Sequence, residues 1–307
     1  EVNFMKKFIT AVVSALLVAA LAVSFAACSS GKSLKIIDVP LSNENYGIAV
    51  QKGDPDGLLS QINEIVAKVN STEGYEFEGT TYSFSSWMDA ESAAATDNKN
   101  ISIGTVLTSV PAGADEDEYF VVATNAEFPP FEYRISENEF GGVDMQLASL
   151  IAKVLGRTLV ILNTDFDAVF EELRLGRVNA AMAGITITDI RKETMDFSSP
   201  YYNSTQMIAV ASDDTTFDGC TTEEQVVAKL KELTGVTAGA ARGQTGYYYL
   251  YGDNGGGYGF EGFSNLTVSP YRSVLAAVQD LSNGKVKLVC ADKDTLSITV
   301  ANVNNAL

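Results

Sequence analysis

Apolar residues recur at intervals of three and four in two stretches. Leu58, Ile62, Ile65, Val66 and Val69 form one stripe, and Leu147, Ile151, Ala152 and Leu155 form another; this is the spacing of helices with one buried face. Further helices are predicted over 165–175, 223–234 and 271–282. Between them lie short β-branched runs at 35–39, 47–50, 119–124, 158–162, 207–210 and 286–290, which read as strands. Helices alternating with strands predict an α/β fold.

Two stretches echo each other. In 167–184 a helix is followed by Gly176-Arg177-Val178 and a strand over 179–183; in 273–292 a helix is followed by Gly284-Lys285-Val286 and a strand over 287–290. Each glycine suits a helix C-cap ahead of a parallel strand. If the echo is not chance, it predicts two similar lobes, each presenting a loop at the carboxyl end of a strand, where open α/β sheets hold ligands. Residues 71–117 differ: they are rich in Ser, Thr, Ala, Gly and acids, hold the single Trp (Trp87), and have weak periodicity outside 101–110. They read as a linker with some local structure.

The front of the chain has Met5, Lys6 and Lys7, an apolar run over 8–23, and small residues before Cys28. Residues 5–27 read as a secretory signal rather than a permanent membrane span, since the run is short and positive only at its front. Ser24-Phe25-Ala26-Ala27-Cys28 resembles a bacterial lipobox, with Phe25 in place of the usual leucine; lipidation of Cys28 and plain cleavage after Ala27 are both open. The resemblance implies an extracytoplasmic protein anchored to the bacterial membrane by lipid. About 280 residues remain after cleavage, enough for two domains.

Charge and composition exclude several functions. The formal net charge of −18 becomes −19 once two lysines and one glutamate leave with the signal, so nucleic acid is not an expected partner. With no histidine in the chain, Ser-His-Asp and Cys-His catalysis and every His-containing metal site are excluded, and no metal or cofactor is expected. Cys220 and Cys290 are expected as buried thiols rather than a disulfide.

Asn125-Ala126-Glu127-Phe128-Pro129-Pro130-Phe131-Glu132-Tyr133 directly follows a strand and carries two prolines, so it forms a rigid loop able to hold an aromatic face toward a cleft. Ala183-Gly184-Ile185-Thr186-Ile187-Thr188-Asp189-Ile190-Arg191 is followed by Met195-Asp196-Phe197-Ser198-Ser199-Pro200-Tyr201-Tyr202. Together with Gly142-x-Asp144-x-x-Leu147-Ala148, Gly243–Gly246, Ala291-Asp292-Lys293 and Tyr46-Gly47-Ile48-Ala49-Val50, these segments resemble the polar amino-acid-binding proteins of ABC importers over most of the mature chain. That resemblance implies a two-lobed type II periplasmic-binding-protein fold, closing on a hinge.

It also implies a site. A zwitterion must exchange the hydration of two charges for pairing in a closed cleft, which calls for a cation, an anion and oriented donors. In the family the arginine after the Thr block clamps the α-carboxylate; here that is Arg191, whose planar fork suits two oxygens. Thr186, the backbone at Gly184 and Thr245 match positions that add donors. Asp292 matches the aspartate that holds the α-ammonium, Phe128 the aromatic on the ligand side chain, and Asn125 the residue that reads its tip. Relatives that prefer cationic amino acids tend to carry an acid at the position of Asn125, so a polar, uncharged ligand is expected. Arg242 matches a position that reaches the ligand side chain in some relatives, with a solvated arginine as the alternative. Away from the motif, Arg191 would read as a surface partner of Glu193 or Asp189, and Asp292 as a helix N-cap.

The order of the chain departs from the family. Its closing elements, a strand like 34–41 followed by 46–50 and a helix, come first here, and the chain stops at Leu307 shortly after Asp292. One copy of each element favours a circular permutation over a partial duplicate fused to a truncated protein. The permutation assigns 51–202 to one lobe, with 71–117 joining the old ends, and 33–50 plus 203–307 to the other, with hinge crossings near Ser204 and Val50. It also puts 35–39 beside 286–290 and Ser33 beside Leu307. The function expected is delivery of an L-amino acid to an ABC permease and its ATPase by a monomeric, non-enzymatic binder. An enzyme on the same fold, of the cyclic-acid dehydratase type, and a ligand sensor for a membrane receptor are the alternatives. Absence of a histidine and of a crowded carboxylate pair in the motif loops argues against the enzyme.

Overall fold

A computed structural model describes residues 31–97, 99–253 and 257–307. The predicted signal segment and Cys28 lie outside the described residues. Ten strands build two mixed sheets: β1 Leu34–Ile37, β2 Ala49–Gln51, β3 Tyr119–Thr124, β4 Thr158–Asn163, β5 Ala180–Ala181, β6 Met195–Phe197, β7 Gln206–Ala211, β8 Val236–Ala241, β9 Leu266–Tyr271 and β10 Leu288–Asp292. The first sheet has the order β4-β3-β5-β2-β6 and the second β1-β7-β10-β8-β9. In each, a parallel part is extended by antiparallel strands.

Nine α-helices are described: α1 Leu59–Val69, α2 Phe84–Thr96, α3 Val143–Leu155, α4 Phe166–Arg174, α5 Asp189–Thr194, α6 Glu223–Glu232, α7 Thr245–Tyr251, α8 Val274–Ser282 and α9 Lys293–Asn305. None of the described helices is long and apolar enough to cross a membrane. The apolar stripes read from sequence are buried: Ile62, Ile65, Val66 and Val69 on α1, and Leu147, Ile151 and Ala152 on α3. With α2, α8 and α9 they form a core that continues from one sheet to the other.

The two echoed glycines do what the pattern requires. Gly176 and Gly284 take φ of 68° and 73° just past α4 and α8. Paired bonds close each helix end, Gly176 N–H to Leu173 and Arg177 N–H to Glu172 in one, Gly284 N–H to Leu281 and Lys285 N–H to Asp280 in the other. The following strands, β5 and β10, lie parallel to β3 and β8. The strand expected over 179–183 is cut to Ala180–Ala181, because the chain then turns through Gly184 at φ 53°.

The chain passes between the sheets at two segments that pair with each other. Residues 44–46 lead from β1 toward β2, residues 202–204 lead from β6 to β7, and they run antiparallel with Tyr202 opposite Tyr46 and Ser204 opposite Glu44. The start of the described chain meets its end: Leu34 N–H donates to Asn304 Oδ1 at 2.8 Å, and Asn304 Nδ2 donates back to the Leu34 carbonyl at 2.9 Å. β1 does not lie beside β10 as read from sequence; β7 stands between them, bonded to both. Segment 71–117 holds more than a linker, with a hairpin (Tyr75–Phe77, Thr80–Tyr82), α2 and the strand Ser102–Thr105. Cys220 and Cys290 are free thiols, Cys290 buried and Cys220 only half-buried.

Candidate functional site

The loop after β3 delivers Phe128, buried and stacked on Phe131 with ring centres 5.8 Å apart. The turn after β5 delivers Gly184, where a Cβ would come within 2.7 Å of the Phe128 ring, so glycine is required for both its φ and its close approach. Two residues on, Thr186 is buried. The α5 helix starts at an N-cap, Thr188, which accepts from Arg191 N–H, and so aims Arg191 into the space between the sheets.

Arg191 is only 7% exposed. Its Nη1 donates to the Thr186 carbonyl at 2.8 Å and its Nη2 to the Gly243 carbonyl, from the second sheet, at 3.3 Å. Phe166 and Phe170, one turn apart on α4, and Tyr258 surround the guanidinium at 5.6, 4.9 and 5.6 Å. The surface pairing open to Arg191 does not form; Lys192 takes Asp189 instead.

From the second sheet, Gly243–Thr245 follow β8 and Asp292 ends β10. The Thr186 hydroxyl donates to Glu44 Oε2 at 2.9 Å, which leaves the Thr245 hydroxyl, 3.0 Å away, to donate to Thr186. Asp292 is buried at the N-cap position of α9 without capping it. Its Oδ1 accepts from Tyr46 at 2.5 Å and Ser204 at 3.4 Å. Burial, and then the neighbouring Glu44 charge, push the Asp292 carboxyl up to about 7. Tyr46 and Ser204 belong to the crossing segments, so the acid end of the site is built on the hinge.

Phe128, Gly184, Thr186, Arg191, Thr245 and Asp292 thus line one cavity, joined by Phe166, Ala183 and Gln244. It encloses about 10 Å³, room for one water at most, so the two sheets stand closed on each other. Asn125 and Arg242 are not among its lining residues. Asn125 Nδ2 donates to the Thr164 carbonyl at 2.8 Å, and Arg242, exposed, pairs with Asp167 at 3.1 Å. Sequence reasoning missed Glu44, Tyr46, Phe166, Gln244 and Tyr258. It also missed that acids crowd: Glu44 stands close enough to Asp292 to shift it, and Glu132 of the proline loop faces Asp144. A larger cavity of about 670 Å³ lies apart from these residues, between α2, the proline loop, α8 and α9, with Glu91, Pro130, Arg272 and Ile298 on its walls.

The arrangement, one caged guanidinium and two carboxylates between hinged sheets, suits a small zwitterion. Residues 120–305 match the family model of bacterial extracellular solute-binding proteins, family 3. The chain belongs to that family. This solute-binding protein is 29% identical over 196 residues to a probable histidine-binding protein of Neisseria gonorrhoeae, covering 62% of this chain and 64% of that one. It is 28% identical over 194 residues to a putative ABC transporter arginine-binding protein 2 of Escherichia coli (strain K12), covering 63% and 71%. The match therefore spans about two thirds of the length of these relatives. Among solved structures, the holo arginine-binding protein of T. maritima superposes with a TM-score of 0.51 at 28% identity, over 60% of this chain and 74% of that one. An ancestral arginine-binding protein bound to arginine gives the same score, over 62% and 76%.

Proposed function

We propose that this solute-binding protein takes up an L-amino acid with a cationic side chain outside the cytoplasm, closes over it, and presents the closed form to the permease and ATPase of an ABC importer. The charge pattern of the cleft carries the reading. Arg191 meets the α-carboxylate and Asp292 the α-ammonium, while Glu44, just behind the lining residue Thr186 and near enough to act on Asp292, adds one further negative charge that favours a cationic side chain. A neutral zwitterion would leave that charge uncompensated in a buried space. The expectation of an uncharged side chain rested on Asn125, whose amide is already committed to Thr164. The names of the relatives, arginine- and histidine-binding, agree with a cationic ligand and with binding rather than catalysis.

Closure in this reading is hinge motion about the paired crossings 44–46 and 202–204, biased by contacts from both sides. A circular permutation is part of the proposal. It is supported by β1 completing the second sheet, by Leu34 bonded to Asn304, and by a family match that starts only at 120 although earlier strands sit in both sheets. Membrane attachment through Cys28 belongs to the same reading and fails if Cys28→Ala protein stays in the membrane fraction. A thermal-shift panel of amino acids tests the function: arginine, lysine or histidine should raise the melting temperature, and a response to neutral amino acids alone would remove the cationic assignment.

A further inference from the structure

Beneath Gly184 lie two acids for which ligand charge has no use. Glu132 comes from the short strand Glu132–Arg134 and Asp144 from the first turn of α3; both are 0% exposed, and their carboxyl groups stand within hydrogen-bonding reach of each other. Asp144 Oδ2 accepts from the Gly184 N–H at 3.0 Å and from the Tyr201 hydroxyl at 2.8 Å. Gly184 lines the cleft, and Tyr201 immediately precedes the crossing segment 202–204. Both oxygens of Glu132 and Oδ1 of Asp144 meet no donor from any other described residue.

Two ionised carboxylates cannot stand in contact in a dry interior, and a pair stripped of both protons would leave three oxygens facing only each other. A single proton between them satisfies the geometry: Asp144 stays ionised toward its two donors, and the other acid supplies the missing one. We propose that Glu132 donates a shared proton to Asp144 Oδ1, and that this acid–carboxylate pair is the positioning device that ties the ligand-binding turn at Gly184 to the hinge at Tyr201. The ligand part of this inference rests on the amino-acid-binding reading. The shared proton does not.

The titratable groups facing the pair are Tyr201, Asp292 from the end of β10, and Glu91 of α2, which accepts from Gly142 N–H two residues before Asp144. Burial drives Glu132 well above the ordinary carboxylate range, and Asp292 pushes the same way. A folded-state pKa raised in this way means that the folded protein holds a proton the unfolded chain has released. Its stabilising effect is complete below the unfolded value near 4.5 and is lost as pH rises toward the folded value. The loss amounts to as much as tenfold in the unfolding equilibrium per pH unit.

The test compares the full chain with its Glu132→Gln and Asp144→Asn variants. A glutamine amide at 132 still donates to Asp144 Oδ1 but carries no titrating proton. Denaturant unfolding between pH 5 and 8 should therefore show a pH dependence weaker by up to tenfold per unit in Glu132→Gln than in wild type. Calorimetry with L-arginine at pH 6 should find Glu132→Gln within about threefold of wild type and Asp144→Asn weaker by tenfold or more, roughly the loss expected when a charged acceptor is removed. Infrared spectra of wild type carrying carboxyl-labelled glutamate need no variant to fold, and should show a protonated buried glutamate carboxyl at neutral pH, a band to which the aspartate Asp292 does not contribute. An unchanged pH slope in Glu132→Gln, no protonated carboxyl, or normal arginine binding by Asp144→Asn beside a wild type that binds would each overturn the pair. A wild type that binds no arginine, with the infrared band and pH slope intact, counts against the ligand reading alone.

Discussion

The Arg191 guanidinium, carried by a helix of the first sheet, donates to the Gly243 carbonyl of the second at 3.3 Å. One side chain thus bridges the cleft, and in the proposed function its remaining N–H groups meet the ligand carboxylate. Arg191→Ala should abolish amino-acid binding while the protein stays folded, a loss of about 2–5 kcal/mol for stripping one partner from a buried charge. Arg191→Lys should restore little, because an ammonium lacks the fork. Calorimetry on the two variants, with circular dichroism to verify folding, is the check; tight binding by Arg191→Ala would move the carboxylate site elsewhere.

If Asp292 holds the ligand ammonium as proposed, binding should depend on pH. Its carboxyl titrates near 7 in the folded protein, raised by burial and then by Glu44. A ligand ammonium favours the ionised form, so binding must expel the proton wherever Asp292 carries one. Affinity should hold above about pH 8 and weaken as pH falls through 7, by at most tenfold per unit. Asp292→Asn should bind weakly and lose this dependence. A wild-type affinity that is flat from pH 5 to 8 would contradict the role of Asp292.

Tyr258 covers the guanidinium from the second sheet's side and is itself stacked on Tyr248, 4.4 Å between ring centres. Its removal uncovers one face of Arg191 without touching the other contacts. Tyr258→Ala should release ligand faster by roughly fivefold, the equivalent of about 1 kcal/mol of cation–π contact, with little change in the on-rate. Tyr258→Phe should behave as wild type. Stopped-flow dissociation rates decide the matter, and equal rates for wild type and Tyr258→Ala would make the ring mere packing.

Permutation predicts that a chain running from 119 to 307 and on into 33–118, which keeps α2 and the strand Ser102–Thr105, folds and binds, since Leu34 and Asn304 already bond to each other. Deletion of 29–50 from the native order should destroy the second sheet, because β7 would lose β1 and the hinge would lose one of its two paired crossings. Normal binding by the deletion variant would favour a dispensable N-terminal duplicate.

Local pattern carried much of the fold. The stripes of α1 and α3, the echoed glycines and the β-branched runs state their structure within a few residues. β8 was not legible, because Val236-Thr237-Ala238-Gly239-Ala240-Ala241 is poor in strand-forming residues and is held by burial between two neighbours. In the site, motif-bearing residues were readable and their neighbours were not. Phe166 and Phe170 look like an ordinary helix core face until Arg191 arrives between them and Tyr258. Glu44 lies 142 residues from Thr186 and meets it only because both sheets are crossed nearby. Glu44 and Asp292 come from distant segments, and Glu132 and Asp144, though only about a dozen residues apart, meet because the strands between them fold back, which no local spacing announces.

The most direct test of the account is isothermal titration calorimetry of the purified protein with L-arginine, L-lysine, L-histidine and L-glutamine at pH 8. One cationic amino acid should bind at a single site, with glutamine weaker by tenfold or more, the discrimination expected when Glu44 loses its counter-charge. Binding of glutamine as tightly as of any cationic amino acid would contradict the charge reading of the cleft, and heats of dilution alone for all four would contradict amino-acid binding itself.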